Sequence, residues 1–493
     1  MKYYIGADLG TSSLKLMLVG SDGAIAKSVA REYGVIYPRV GWSEQNPADW
    51  WEAFVSGIKE LISDIDGGDV RAIGVAGQMH GLVVLDKKDE VIRPCILWND
   101  GRTGKEVDYL NGVIGKEKLS ELTANVAFAG FTAPKILWMR ENEPDNFAKI
   151  AKFMLPKDYI NYLLTGVHAT DFSDASGMLL LDVKGRCWSE QMLDICKVRP
   201  EWCPRLYESY EIIGKVKADI AAMLGLGDDV TVIAGAGDNA AAAVGTGTVG
   251  EGRCNISLGT SGTVFISSES FSVDSNNALH SFAHSDGGYH LMGCILSAAS
   301  CNKWFCEQVL ETSDYGKESA KIDESKLGRN NVFFLPYLMG ERSPINDTDA
   351  SGVFIGLNPT TTRADMLLAV LEGVAFAIRD NLEVAKKLGI DVTKSMVCGG
   401  GAKSDLWCRI LSGVLGITLT RPVAEEGPGY GTAILSMVAD GVYASVAEAA
   451  EKLVLVRDEK VPEASLVALY EERYQKYKKI YPALKNLYKE IKE

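Results

Sequence analysis

Asp8-Leu9-Gly10-Thr11-Ser12-Ser13 returns in altered form as Ser257-Leu258-Gly259-Thr260-Ser261-Gly262. Each copy stands between β-rich runs, 3–9 and 14–19 in the first case, 253–258 and 263–267 in the second. A small polar turn between such runs reads as a hairpin. The two copies lie about half a chain apart, which suggests two related domains and not a solenoid, whose period is far shorter. Working outward, a third strand is expected after Asp22-Gly23. Asn46-Pro47 then opens a helix with Trp50, Trp51, Phe54, Ile58, Leu61 and Ile62 on one stripe. The runs 70–77 and 82–85 read as buried strands. The second half continues with a helix over 363–388, a strand over 395–398, a Gly-rich turn and a helix over 406–414. Gly245-Thr246-Gly247-Thr248-Val249-Gly250 punctuates the junction, so the domains are expected at 1–246 and 247–493.

A chain of 493 residues is too long for a single core, which agrees with two domains. Its 51 basic and 65 acidic residues leave a net charge of −14, arguing against nucleic acid or an anionic membrane as partner. An anionic ligand would need backbone amides, helix ends or a metal. No apolar run approaches the ~18 residues of a membrane span, and the opening residues lack the pattern of a signal peptide. Ten cysteines without a CxxC pair read as reduced thiols of a cytoplasmic protein. A homodimer is the default assembly. The polar segment 311–331 reads as a surface loop. Residues 464–490 carry a helical stripe broken at Pro482, which fits a helix packed on the second domain or an amphipathic partner helix.

Gly235-Ala236-Gly237-Asp238-Asn239, followed by an alanine run, sets one acid among small residues. Asp238 is either the N-cap of a helix or a carboxylate free to take a proton from a hydroxyl. The paired Gly-Thr-Ser turns, with a third Gly-rich turn at 399–402, suit phosphate oxygens, although each alone is an ordinary turn. Asp8, at a strand tip beside the first turn, fits a water-shielded magnesium ion or a turn-stabilising aspartate. Gln78-Met79-His80 at a strand end is a polar interruption that either faces a ligand or is satisfied in the core. Trp98-Asn99-Asp100-Gly101-Arg102 combines an aromatic wall with polar groups suited to a polyhydroxylated ligand. His280 and His284 form HxxxH, a zinc pair if helical, or core residues otherwise.

These motifs resemble the FGGY family of carbohydrate kinases, within the sugar kinase, hsp70 and actin superfamily. The likeness runs through DLGTSSLK (8–15), GWSEQNPADWW (41–51), GQMHG (77–81), ILWNDGRT (96–103), LPKDYI (155–160), GAGDNAA (235–241), SLGTSGT (257–263), FLPYLMGER (334–342) and GGGAKSDLW (399–407). GQMHG with LWNDGRT is similar to the xylulokinase branch. The resemblance implies an α/β protein of two ribonuclease H-like domains, related by duplication, around a central cleft. It implies MgATP as co-substrate and a ketopentose, D-xylulose, as acceptor. By position, Asp238 would be the general base, with Met79, His80, Trp98, Asp100 and Asn239 lining the sugar site. Asp8 would face the metal and Thr11 and Ser12 the phosphates. Gly259, Thr260 and Ser261 would approach the phosphates too, and Gly400, Gly401 and Ala402 the adenosine. Asp405 stands where relatives often have asparagine, so it enters the nucleotide site as an acceptor without an amide. Three other readings share the scaffold: a kinase for another sugar or polyol, a non-catalytic sugar sensor, and an hsp70-like or actin-like ATPase switch.

Overall fold

In the computed structural model, which describes residues 2–423 and 427–492, the opening run forms β1 (Tyr3–Leu9), hairpinned to β2 (Ser13–Gly20). Leu9 lies opposite Leu14, so the turn between them is tight. β3 (Ile25–Glu32) pairs antiparallel with β2, while β4 (Val70–Gly77) and β5 (Thr231–Ile233) extend the sheet parallel to β1. The order is β3-β2-β1-β4-β5, with Ile212–Lys215 at the edge beyond β5. Helix α1 (Pro47–Leu61) starts where Asn46 Oδ1 accepts from Ala48 N and Pro47 takes the first position, which needs no N–H. It buries Trp50, Phe54, Ile58 and Leu61 on one face of the sheet. Between β4 and β5 lie α2 (Thr132–Asn142) and α3 (Pro156–Thr165), and α4 (Asp238–Gly245) follows β5.

The second half repeats the plan. β6 (Arg253–Leu258), β7 (Gly262–Ser268) and β8 (Tyr289–Ile295) are successive antiparallel neighbours, and β9 (Lys394–Cys398) and β10 (Thr418–Pro422) continue parallel to β6. The order β8-β7-β6-β9-β10 matches the first sheet strand for strand. α5 (Arg363–Lys387), capped by Thr362 and Asp365, and α6 (Asp405–Leu415) enclose this core. The chain is thus a duplicated α/β fold. The polar segment 311–331 contains two short helical turns, Tyr315–Ser319 and Glu324–Lys326. The C-terminal stripe is two helices, Ala464–Tyr477 and Ile480–Lys492. Pro482 falls in the first turn of the latter, where a missing N–H costs nothing, so the break lies just before it.

One crossing had no counterpart in the sequence reading. Helix α7 (Gly427–Ala439) comes from the second half yet lies on β1 and β4 of the first sheet and against α4. Glycine permits this. A Cβ on Gly6 would stand 1.9 Å from Gly429 O, one on Gly74 2.6 Å from Thr432 O, and one on Gly431 1.9 Å from Ala241 O. Missing side chains therefore let backbone pack on backbone where the two halves meet.

Candidate active site

Sheet register gathers the singled-out residues at one edge. Leu9 and Gly237 both pair with Gly77, so the ends of β1, β4 and the short Ala236–Gly237 strand coincide. Asp8, Gln78–His80 and Asp238 leave the sheet together. In the second sheet Ser257 pairs with Cys398, which sets Gly259–Ser261 beside the Gly399–Ala402 turn. Gly399 has φ 87°, and a Cβ there would meet the Leu258 carbonyl carbon at 2.8 Å. Only glycine joins these two turns so closely. Between the halves is a cavity of about 220 Å³, lined by Asn239, Ala242 and Thr246 on one side and by Asn255, Ser257 and Cys398 on the other, with Gly427 at its rim. A second cavity, of about 380 Å³, opens at the opposite strand ends near Arg253 and Lys394 and shares Thr246 with the first.

Asp238 does not cap α4. Gly237 holds the cap position and Asp238 is the first helical residue, half-buried, its Oδ1 accepting from Asn239 N (2.7 Å) and Asn239 Nδ2 (3.0 Å). Burial, then the charge of Asp8, push its carboxyl up to about 7 against the pull of the Asn239 N–H. A carboxylate with that affinity can take a proton near neutral pH and give it back.

His80 has φ 69°, a left-handed conformation fixed from three directions. Its carbonyl accepts from Lys135 Nζ (2.7 Å) and Thr132 Oγ1 (3.1 Å), and its ring stacks on Phe131. Its Nδ1 lies 2.7 Å from Gly177 O, and because a carbonyl only accepts, Nδ1 carries the hydrogen. Burial, then Lys135, push its pKa down to about 3, so the ring is neutral and Nε2 is an acceptor. Met79 is buried, packed where Gly237 lacks a side chain. Trp98 is 47% exposed, its indole fixed by donation from Nε1 to Thr11 Oγ1 (2.9 Å). Thr11 Oγ1 donates in turn to Gln78 Oε1 (3.1 Å), and Gln78 Nε2 to Gln45 Oε1 (2.8 Å). Gln78 thus satisfies its polar groups internally, between the hairpin and the aromatic wall.

Asp100 corrects the sequence reading. Its side chain is fully buried, accepting from Ser43 N, Arg102 N, Arg102 Nε and Arg102 Nη2 at 2.6–2.9 Å. The Arg102 guanidinium lies over Trp42, 3.8 Å from the ring centroid. The Asp100 carboxylate is thus taken up by Ser43 and Arg102 and braces the turn that follows Trp98. Asp405 opens α6, 70% exposed, and pairs with Arg421 Nη2 at 2.7 Å. That bond, helped by Lys460 against burial, holds its carboxyl below the usual range. Arg421 Nη1 also donates to Ala402 O (3.2 Å), so Asp405 ties down the third turn through its arginine. Thr260 and Ser261 are exposed, Gly259 half-buried and Ser12 exposed; Gly400 is exposed, while Gly401 and Ala402 are buried. His280 lies in the strand His280–Ala283, so the HxxxH pair is not helical. Its Nδ1 faces Asn125 Oδ1, and His284 Nε2 lies 2.9 Å from Thr248 O. Among the described residues no group of three or more His, Cys, Asp or Glu is placed to hold a metal ion, and no helix is long and apolar enough to cross a membrane.

Models of the N-terminal and C-terminal domains of the FGGY family of carbohydrate kinases match residues 3–245 and 254–439. The chain belongs to this family. It is 39% identical over 483 residues to the xylulose kinase of Escherichia coli strain K12, covering 98% of this chain and 99% of that one. The xylulose kinase of Staphylococcus xylosus is 34% identical, with 98% and 100% covered. Among solved structures, a xylulose kinase from Brucella ovis superposes with a TM-score of 0.93 at 38% identity, covering 98% of this chain and 100% of that one. A gluconate kinase from Lactobacillus acidophilus also reaches 0.93, at 26% identity and 99% of each chain. FGGY membership accounts for the paired sheets and makes this cleft the place to look for phosphoryl transfer to a sugar.

Proposed function

We propose that the protein transfers the γ-phosphoryl group of MgATP to D-xylulose, giving ADP and D-xylulose 5-phosphate, with the sugar on the 1–246 side and the nucleotide on the 247–493 side. The observation that carries this reading is Asp238, a carboxyl poised at about 7 next to Asn239, which lines the cavity between the halves. Asp238 accepts the proton of the terminal hydroxyl as its oxygen bonds to the γ-phosphorus and the bond to the ADP oxygen breaks. His80 Nε2 accepts from another hydroxyl, Trp98 covers the carbon face, and Asn239 steadies the base. Thr11, Ser12 and the Gly259–Ser261 turn lie where phosphates would be held, and Gly400–Ala402, braced by Asp405 and Arg421, is the adenosine turn. Asp8 and Asp238 place oxygen donors of like charge at one strand end, a setting suited to magnesium with its own waters, and Asp8 would hold it. When bound, the ion would neutralise charge on the transferring phosphoryl group.

The ten free cysteines fit a reducing compartment, which supports a cytoplasmic location. The match to a gluconate kinase makes the acceptor the point to test. In an ATP-consumption assay on D-xylulose, D-ribulose, L-fuculose, glycerol and D-gluconate, the highest kcat/KM should belong to D-xylulose. Preference for another acceptor would replace the sugar but keep the kinase; sugar binding without ADP release would leave a sensor.

A further inference from the structure

Four ionisable side chains with almost no exposure lie behind Asp238, and no step above uses them. Lys157, at the start of α3, has Nζ 2.6 Å from Asp158 Oδ1, 2.9 Å from Asp171 Oδ1 and 3.8 Å from Asp174 Oδ2. Burial works against the lysine's charge, but Asp158, Asp171 and Asp174 outweigh it and keep the ammonium charged. Buried charges are expensive even when paired, so what this cluster holds in place is the question its geometry raises. Here the neighbour is the backbone leading into Asp238. Asp171 Oδ2 accepts from Ser173 N (2.8 Å), Ser173 Oγ (2.5 Å) and Ser209 Oγ (2.8 Å). Ser173 Oγ in turn accepts from Gly237 N at 3.1 Å, one residue before the acid. Lys157 Nζ (3.3 Å) and Asn161 Nδ2 (3.0 Å) donate to Ala234 O, and Gly235 N donates to Ser209 O (3.0 Å). Gly235 has φ 74°, and a Cβ there would stand 2.0 Å from Val75 O. The segment is thus held by β4 on one side and by the charge cluster on the other.

We propose that Lys157, Asp171 and Ser173 are positioning residues which fix the direction of the Asp238 carboxylate through the Gly237 N–H. The inference rests on Asp238 being the base. Ser285 Oγ, from the second half, donates to Ser173 Oγ (3.5 Å), so the chain of bonds ends where the halves touch.

Ser173→Ala removes the one oxygen that links the cluster to Gly237 and leaves every charge in place. It should lower kcat by roughly tenfold to 100-fold, the scale of a sub-ångström to ångström misalignment, with KM for sugar and ATP within about threefold of wild type. Asp171→Asn should lose kcat in the same way. Lys157→Arg should retain more activity than Lys157→Met, whose folding is checked by circular dichroism. Wild-type kcat in folded Ser173→Ala, beside an inactive Asp238→Asn, overturns the positioning role and leaves the base standing. Wild-type kcat in Asp238→Asn overturns the base, and the positioning role with it.

Discussion

Asp238, the proposed base, can accept a proton only when ionised, and its environment sets the pH at which that happens. Burial and Asp8 raise its pKa, so the free enzyme should lose kcat/KM as pH falls through about 7, with a slope of one proton on the acid limb. An acid limb in the ordinary carboxylate range, near 4, would contradict this environment. Lys135 offers a second test at this scale. It is buried, donates to the carbonyls of His80 and Gly130 at 2.7 Å, and is pushed down to about 7, first by burial. Lys135→Met should release the strained His80 backbone and raise KM for the sugar at least tenfold, leaving KM for ATP unchanged; equal effects on both would point to general unfolding. Asp8, His80 and Asp238 stand out in the sequence because an acid among glycines, or a histidine at a strand end, is chemically conspicuous, and the strand register brings them to one edge. Asp100 looked equally conspicuous but was misplaced, because Arg102 two residues on claims its carboxylate. Lys157 and Asp171 were missed because LPKDYI and TDFSD read as ordinary helix openings, with nothing local to reveal that four ionisable groups meet inside.

Helix α7 decides how the elements join. A Cβ on its Gly431 would stand 1.9 Å from Ala241 O of α4, and one on Gly6 of β1 would stand 1.9 Å from its Gly429 O, whereas Gly400 has nothing within 4 Å. Gly431→Ala should therefore destabilise the protein by about 1–3 kcal/mol, the usual cost of overpacking, seen as a lower urea midpoint. Gly400→Ala should leave that midpoint unchanged while raising KM for ATP. A midpoint unaffected by Gly431→Ala would mean the crossing is looser than described. Both hairpins, α1, β4, α5 and α6 followed from period and turn chemistry. The crossing did not, because Gly427-Pro428-Gly429 carries no mark of which sheet it will cover. The HxxxH pair went the same way: its spacing says zinc only on a helix, and the hairpin partner Tyr289–Ile295 makes it a strand.

For the molecule as a whole, duplication places two like edges against one cavity, one lined by Asn239, next to Asp238, and the other by Ser257 and Cys398, which lead into the Gly259–Ser261 and Gly399–Ala402 turns. A phosphoryl group crossing between them needs alignment more than covalent help, and a cleft that excludes water prevents loss of ATP to hydrolysis. The symmetry was readable from the sequence; the contact between the halves was not, since it depends on buried polar bonds such as Ala283 N to Ser176 Oγ (3.0 Å). The central claim is that one carboxylate at this junction takes the sugar's proton. It is tested most directly by single-turnover transfer from ATP to D-xylulose in Asp238→Asn, with calorimetric sugar binding measured beside it. Transfer should slow by about 10²–10⁴-fold while sugar affinity stays within a few-fold of wild type; a transfer rate close to that of the unmodified enzyme would contradict the account.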